Sequence, residues 1–287
     1  MVRIHVVRAS HLLVGVLAVI LITVLLVVGF GRMGDKKSSK ENKITKTVFE
    51  AEAVNVSASA IFSAPDEKEI KIEVVKPDRK EIKILIYHTH THEAYEKKET
   101  DEYIETSAWR TKNNNYNIVR VGEALASLLT EHGFTVIHDT TDHELTDLST
   151  AYTRSLETME KYAGEIDVFI DLHRDAYYEN SSGNPISLKT DEGDFARLMC
   201  LVGNGKGFDD EMHYTENYAL ATLLTGEINK TMPGLCRPVM VKDGRYNQHL
   251  SEKSLLIEVG HNQNSIEQAL SAMPYLADAL ENVLTET

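Results

Sequence analysis

From about residue 81 onward, the apolar positions of the chain follow two different periods. Short apolar runs typical of buried strands alternate with longer stretches in which apolar residues recur every three or four positions, as in an amphipathic helix. The predicted strands are residues 82–87, 134–138, 167–172, 195–203 and 254–260. The predicted helices are residues 118–133, 151–164, 217–229 and a last one from about residue 265. This alternation predicts an α/β domain with a mostly parallel sheet flanked by helices.

The first part of the chain has another pattern, because residues 12–31 carry no charge and are almost entirely apolar. At about 1.5 Å per residue, a helix over them would span the roughly 30 Å of a bilayer core. A cleaved signal peptide would have a shorter apolar region and an A-x-A-like cleavage site, and this sequence has neither. We therefore predict one uncleaved transmembrane helix. The flanking positive charges do not indicate its orientation.

The segment between this helix and the α/β domain is polar. It is rich in Lys, Glu, Ser and Asp, and its apolar positions follow no sustained period. We interpret it as a tether. The predicted organisation is an N-terminal tail and anchor over residues 1–34, a tether over residues 35–80 and the α/β domain over residues 81–287.

Composition limits the functions that this chain could have. The sequence is 42% hydrophobic and 26% charged, which is typical of a globular protein. Its formal net charge of −14 at pH 7 makes it a poor nucleic-acid binder. It has neither a P-loop nor the G-x-S-x-G nucleophile elbow of a serine hydrolase.

Side chains that can bind a metal or transfer a proton follow or end three of the predicted strands. The first strand runs into the sequence HTHTHE at residues 88–93, and a later one runs into DLHRD at residues 171–175. A third strand contains Glu258 within the apolar sequence LLIEVG. Because ligands of open α/β sheets bind beyond the carboxyl ends of the strands, we expect these side chains to lie together.

Zinc is the metal that these side chains predict. A catalytic zinc has three imidazole or carboxylate ligands and one open position for water. His90 and Glu93 have the His-x-x-Glu spacing that brings two side chains to one side of a tight turn, and His173 is the candidate third ligand. The chain must turn at about Thr91 for the pair to converge. His88, which would share an extended face with His90, is the alternative to His90.

Glu258 is the candidate general base, because a carboxylate inside an apolar strand is costly unless it is paired or functional. It could instead be a structural carboxylate that is bonded to Arg174, to Arg245 or to the backbone. Asp171, two residues before His173, could orient the ring of that histidine. Arg174 and Arg245 are candidate contacts to substrate carboxylates, since guanidinium binds them in a two-pronged geometry, or else structural ion pairs.

Several segments, in this order, resemble the stage II sporulation protein P family across roughly residues 82–270. They are ILIYHTHTHEAY, NIVRVGEALASLL, YTRSLETMEKY, FIDLHRDA, PGLCRPV, GRYNQHLS and LLIEVGHNQNSIEQAL. The resemblance implies a zinc-amidase-like fold and a membrane-anchored, zinc-dependent peptidoglycan hydrolase. The enzyme would cut the amide between N-acetylmuramic acid and L-alanine, and an endopeptidase activity on peptide cross-links is also attributed to the family.

The resemblance also assigns roles to residues and names partners. It implies that His90, Glu93 and His173 bind zinc and that Glu258 is the catalytic glutamate. It places the catalytic domain outside the cytoplasmic membrane, held by a single-pass anchor at the sporulation septum. Stage II sporulation proteins D and M are the implied partners during engulfment of the forespore.

Two other functions are open on the residues alone. A zinc carboxypeptidase acting on peptidoglycan stem peptides could use the same His-x-x-Glu pair with a distant histidine. The chain could also be an inactive, membrane-tethered scaffold that binds the wall. His92 and His249 depart from the residues usual in the family at those positions, and both lie near the predicted site.

Overall fold

The computed structural model describes residues 78–145, 147–176, 187–209 and 213–286. The predicted anchor, residues 1–34, and nearly all of the predicted tether, residues 35–80, lie outside these ranges. Within the described part of the chain, no helix has the length and apolar character that crossing a membrane requires.

The described residues form eight strands and four α-helices, numbered here in chain order. The strands are β1 (Lys83–Tyr87), β2 (Thr135–His138), β3 (Val168–Asp175), β4 (Ser187–Thr190), β5 (Gly193–Ala196), β6 (Leu198–Gly203), β7 (Met240–Lys242) and β8 (Ser254–His261). The helices are α1 (Ile118–Glu131), α2 (Ala151–Lys161), α3 (Tyr214–Thr231) and α4 (Ile266–Glu286).

Six of the strands form one sheet in the order β2-β1-β3-β8-β6-β7. Neighbouring strands are parallel, except that β6 runs antiparallel to β8. Helices α1 and α2 make the crossovers from β1 to β2 and from β2 to β3, as parallel neighbours require. The predicted α/β class with a mostly parallel sheet is confirmed.

Successive residues of the central strands pack on opposite faces of the sheet. Ile84 and Ile86 of β1 belong to the larger core, to which α1, α3 and α4 contribute buried residues. Leu85 and Tyr87 pack on the other face with Met159 of α2. Because both faces are covered, these strands are continuous apolar runs, which is why the sequence pattern identified them.

Two parts of the architecture differ from the predicted elements. Residues 195–203, which the pattern joins into one strand, are divided between β5, which pairs with β4 in a separate two-stranded sheet, and β6 of the main sheet. Arg197 is the one charged residue in this stretch and stands at the division, but a single polar position inside an apolar run does not by itself predict the end of a strand. The pattern also does not identify β4 or β7, because both strands are short and partly exposed.

Candidate active site

The three strand ends identified in the sequence lie side by side. β3 lies between β1 and β8 and is parallel to both, so the three carboxyl ends share one edge of the sheet. In the register of β3 and β8, His173 is the direct partner of Glu258. Histidines and carboxylates from three distant parts of the sequence therefore meet at this edge.

The segment after β1 leaves the sheet in a turn over residues 89–92. The Glu93 backbone N–H donates to the His90 carbonyl over 3.3 Å. Asp171 holds the start of the turn, because its Oδ1 accepts from the Thr89 backbone N–H at 2.8 Å and its Oδ2 from the Thr89 hydroxyl at 2.6 Å. The turn lets His90 and Glu93 lie at the same edge, whereas an extended strand would direct them to opposite faces.

His90, Glu93 and His173 are neighbours at this edge. The rings of His90 and His173 meet edge to face with 5.3 Å between their centroids. His173 Nδ1 lies 3.6 Å from Glu93 Oε2, which also accepts from the Arg174 backbone N–H at 2.8 Å. Across the described residues, no three His, Cys, Asp or Glu side chains are already arranged to hold a metal. The candidate ligands are therefore neighbours, but they are not arranged around a common point.

His173 lies between two carboxylates. Its Nε2 is 2.9 Å from Asp171 Oδ1, although outside hydrogen-bond geometry. Burial acts to lower the pKa of His173, but Asp171 and Glu93 outweigh it and raise that pKa well above the usual value. Burial acts to raise the pKa of Glu93, but the hydrogen bond and charge of His173 contribute to lowering it to about 2. These opposite pKa shifts favour an imidazolium held by two carboxylates.

Glu258 is a buried carboxylate, and its Oε2 has no hydrogen-bond partner among the described residues. Burial raises the pKa of Glu258 to about 8, against the opposing charge of His173 and with a further increase from Glu93. A carboxyl group with a pKa near neutrality can both accept and deliver a proton at working pH. This property fits the role of general acid and base that the sequence suggests.

Arg174 is held inside the protein by backbone contacts. Its side chain donates to the carbonyls of Trp109 and Asp175, each over 3.2 Å. Trp109 has a φ of 54°, in the left-handed region, and its carbonyl also accepts from the Ala94 backbone N–H at 2.9 Å. These contacts connect the loop around residue 109 to the strand edge, so Arg174 has a structural role.

Arg245 lies beside a cavity of about 370 Å³ that is also lined by Tyr152, Tyr246 and Phe208. The guanidinium carbon of Arg245 lies 4.8 Å from the centre of the Phe208 ring. Tyr152 connects this cavity to the candidate ligands, because its ring centroid is 5.6 Å from that of His90. The cavity is therefore next to the cluster of histidines and carboxylates.

His88 is fully buried, and both of its ring nitrogens have protein partners. Nδ1 is 2.9 Å from the Leu172 carbonyl and Nε2 is 2.9 Å from His138 Nε2. Burial, followed by the charge of His138, lowers the pKa of His88 to about 3. Helix α1 packs so closely that a Cβ on Gly122 would lie 2.6 Å from the His88 ring. This placement puts His90, and not His88, beside the other candidate ligands.

Sequence reasoning missed residues 142–144, which contact the turn. Glu144 Oε1 lies 2.8 Å from His90 Nδ1, and Asp142 Oδ2 lies 2.9 Å from His92 Nε2. Burial acts to raise the pKa of Glu144, but the hydrogen bond from His90 and other contacts give a net lowering. No motif or spacing in the sequence marks these residues, because their contacts depend on how two loops pack.

Comparison with known proteins gives both sequence and structural relatives. Over 217 residues the chain is 27% identical to Stage II sporulation protein P of Bacillus subtilis (strain 168). The aligned region covers 70% of this chain and 50% of the Bacillus protein. The chain thus spans about half the length of this curated relative.

Three of the similar solved structures are N-acetylmuramoyl-L-alanine amidases. AmiC2 of Nostoc punctiforme is 14% identical, covers 72% of this chain and 96% of its own, and has a TM-score of 0.42. The amidase of Clostridium difficile 630 is 17% identical, and its match covers 71% of this chain and 95% of the amidase chain, with a TM-score of 0.43. The catalytic domain of CwlV from Bacillus (Paenibacillus) polymyxa var. colistinus is 13% identical, and its match covers 71% of this chain and 97% of the CwlV domain, with a TM-score of 0.44.

The family match covers most of the chain. The family model described as Stage II sporulation protein P (SpoIIP) matches residues 31–281. This range includes HTHTHE, DLHRD and the strand that carries Glu258, and it confirms the resemblance identified in the sequence. The chain belongs to the Stage II sporulation protein P family.

Proposed function

We propose that this chain is a zinc-dependent peptidoglycan hydrolase that cleaves the amide between N-acetylmuramic acid and L-alanine. The observation that carries the proposal is the meeting of His90, Glu93 and His173 beside Glu258, whose Oε2 is buried and unpaired in the described structure. Membership of the Stage II sporulation protein P family supports the same activity.

The side chains fit zinc by their chemistry. Two imidazoles and one carboxylate form the ligand set of many catalytic zinc sites. His90 and His173 each have one ring nitrogen near a carboxylate, Glu144 and Asp171 respectively, as metal-bound histidines usually do. The other nitrogen of each ring and the Glu93 carboxylate would hold the metal. Bound zinc supplies Lewis-acid polarisation of the substrate carbonyl and lowers the pKa of bound water.

Glu258 moves the proton in the proposed reaction. Its Oε2 accepts a proton from the attacking water while the water oxygen bonds to the amide carbon. The carboxyl group then gives that proton to the amide nitrogen as the C–N bond breaks, which releases a carboxylic acid and an amine. The raised pKa of Glu258 suits the second step, because a weakly acidic carboxyl retains the proton until the nitrogen needs it.

Asp171 and Arg245 have supporting roles in this proposal. Asp171 orients the ring of His173 and fixes the turn through Thr89. Arg245 binds a carboxylate of the stem peptide in the cavity beside Tyr152, where its guanidinium gives a two-pronged contact. Peptide cross-links are a further proposed substrate of the same site.

We also propose that residues 12–31 anchor the chain in the cell membrane, with the α/β domain outside the cytoplasm at the sporulation septum. The apolar run and the family membership support this location. A chain without residues 1–34 should then leave the membrane fraction, and its full retention there would contradict the anchor. Stage II sporulation proteins D and M are the proposed partners during engulfment, to be tested by co-purification from sporulating cells.

Mass spectrometry of fragments released from purified peptidoglycan tests the activity. The zinc-loaded chain should release free stem peptides, and a chelator should abolish the release. Glu258→Gln is the matched control, because it removes the proton acceptor with little change in volume. Release of terminal D-alanine alone would indicate a carboxypeptidase instead. Wall binding without zinc or any product would indicate a scaffold.

A further inference from the structure

Glu144 is a buried carboxylate that contacts two histidines of the turn. Its side chain is only 2% exposed, and Oε1 lies 2.8 Å from His90 Nδ1. Oε2 accepts from the His92 backbone N–H over 3.0 Å and lies 3.2 Å from His92 Nδ1. Arg110 donates a further hydrogen bond to Oε1. Both oxygens of Glu144 are therefore occupied by protein donors, and neither is available to substrate.

The two residues before Glu144 fasten the same loop to the turn. His143 Nδ1 lies 2.7 Å from the His88 carbonyl, and its other ring nitrogen lies 2.7 Å from the Thr158 hydroxyl. Asp142 Oδ1 accepts from the Thr91 hydroxyl at 3.0 Å and from the Glu144 backbone N–H at 2.9 Å. Contacts on either side of His90 thus fix Glu144 in place relative to the ring.

The chemistry of the contact fixes the proton on His90. An ionised carboxylate only accepts hydrogen bonds, so the nitrogen that faces Glu144 must carry the proton. The proton on Nδ1 leaves the lone pair on Nε2, and a neutral imidazole binds a metal through its lone pair. A carboxylate in this position therefore selects both the ring orientation and the tautomer.

We propose that Glu144 is a positioning residue, which holds the His90 ring with its proton on Nδ1 and so presents Nε2 as the metal ligand. The metal part of this inference rests on the proposed function, whereas the effect on the tautomer does not. A purely structural Glu144, present only to pair with Arg110, would affect stability and leave the tautomer of His90 unchanged.

Nitrogen chemical shifts of the histidine rings test the proposal directly. The full chain would be labelled with ¹⁵N-histidine, freed of metal and studied at pH 8, with His90→Gln to assign the signal. We expect the wild type to carry the His90 proton on Nδ1. Glu144→Ala should shift the proton population towards Nε2, and Glu144→Gln should do so less, because its amide oxygen can still accept one hydrogen bond.

Zinc affinity, measured by competition with a chelator, is the second readout. Loss of a hydrogen-bond partner of a metal ligand costs about 10–100-fold in affinity, and we expect a loss of that size for Glu144→Ala. Asp142→Asn is the matched control, since it removes the charge that faces His92, while its amide oxygen can still accept from the Thr91 hydroxyl and the Glu144 N–H that hold the loop. It should leave the His90 tautomer as in the wild type.

The outcomes separate this proposal from the proposed function. An unchanged His90 tautomer and unchanged zinc affinity in folded Glu144 variants would overturn the positioning role. If Glu144→Ala does not fold, the His90 tautomer and the zinc affinity of Glu144→Gln decide the proposal instead. A wild type that binds no zinc, with a tautomer that still depends on Glu144, would sustain the positioning role and count against the zinc enzyme.

Discussion

His173 and Glu258 are direct partners in the register of two adjacent parallel strands, β3 and β8. Register partners of a parallel pair lie on the same face of the sheet, so the imidazole and the carboxyl stay together without any loop to place them. Rigid elements hold functional groups more precisely than loops do. His90 and Glu93, by contrast, come from a turn that needs the packing of a second loop.

Glu258→Gln should separate catalysis from metal binding. We expect hydrolysis to fall by about 10²–10⁴-fold, because the variant has no group that can take the proton of the attacking water. Zinc content should match that of the wild type, since Glu258 is not among the proposed ligands. Release of stem peptides, with zinc measured in the same sample, checks both parts. His173→Ala, in contrast, should lose the metal, and wild-type turnover by Glu258→Gln would exclude the assignment.

Arg245→Lys should test the proposed contact with a substrate carboxylate. The lysine keeps the positive charge but loses the two-pronged geometry. We expect a higher KM on soluble muropeptides with kcat little changed, because the contact lies away from the reacting bond. A fall in kcat at constant KM would contradict this role.

Gly122→Ala should destabilise the protein, because the new Cβ would lie 2.6 Å from the His88 ring and 2.7 Å from His138 Nε2. Overpacking of this kind typically costs about 1–3 kcal/mol of unfolding free energy. Gly226→Ala in α3 is the matched control, as its Cβ would meet nothing within 4 Å. It should stabilise by about 0.5–1 kcal/mol through helix propensity. Urea denaturation compares the two, and equal effects would refute the close packing of α1.

Asn247 combines a left-handed backbone, with φ of 55°, and two side-chain hydrogen bonds. Its amide donates to the Tyr152 carbonyl at 2.8 Å and to the Ser155 hydroxyl at 3.0 Å. Asn247→Gly should cost about 1–3 kcal/mol for the lost bonds. Asn247→Ala should cost about 1–2 kcal/mol more, because alanine is strained in this region. Thermal denaturation would measure both, and an alanine variant as stable as the glycine variant would contradict the backbone argument.

His138 should make the protein acid-sensitive. Burial lowers the pKa of His138 below 6.5, against smaller opposing effects of Glu123 and Asp139. Below about pH 6.5 the unfolded chain then binds more protons than the folded one, so the unfolding free energy falls as pH falls. The slope from this group is at most about 1.4 kcal/mol per pH unit. His138→Gln should show a shallower slope between pH 7 and 5.5 in urea denaturation, whereas an unchanged slope would refute the assignment.

The sequence alone was sufficient for the α/β class and for the strand ends that carry the candidate site. Buried parallel strands are continuous apolar runs, and amphipathic helices repeat every three or four residues, so both are visible locally. The His-x-x-Glu spacing and the carboxylate within LLIEVG were visible too, because each is a short local feature of the sequence. The division between β5 and β6 was not, because only Arg197 separates the two strands and nothing local shows that they pair in different sheets.

Only the tertiary structure decided which histidine joins the cluster and what supports it. His88 and His90 are equivalent in the pattern, yet the close packing of α1 on the His88 ring at Gly122 buries His88 with His138 and leaves His90 near His173. Glu144 lies more than 50 residues from the turn it contacts. Such contacts follow from which strands are neighbours and which loops pack together, and a local period of apolar residues carries no information about either.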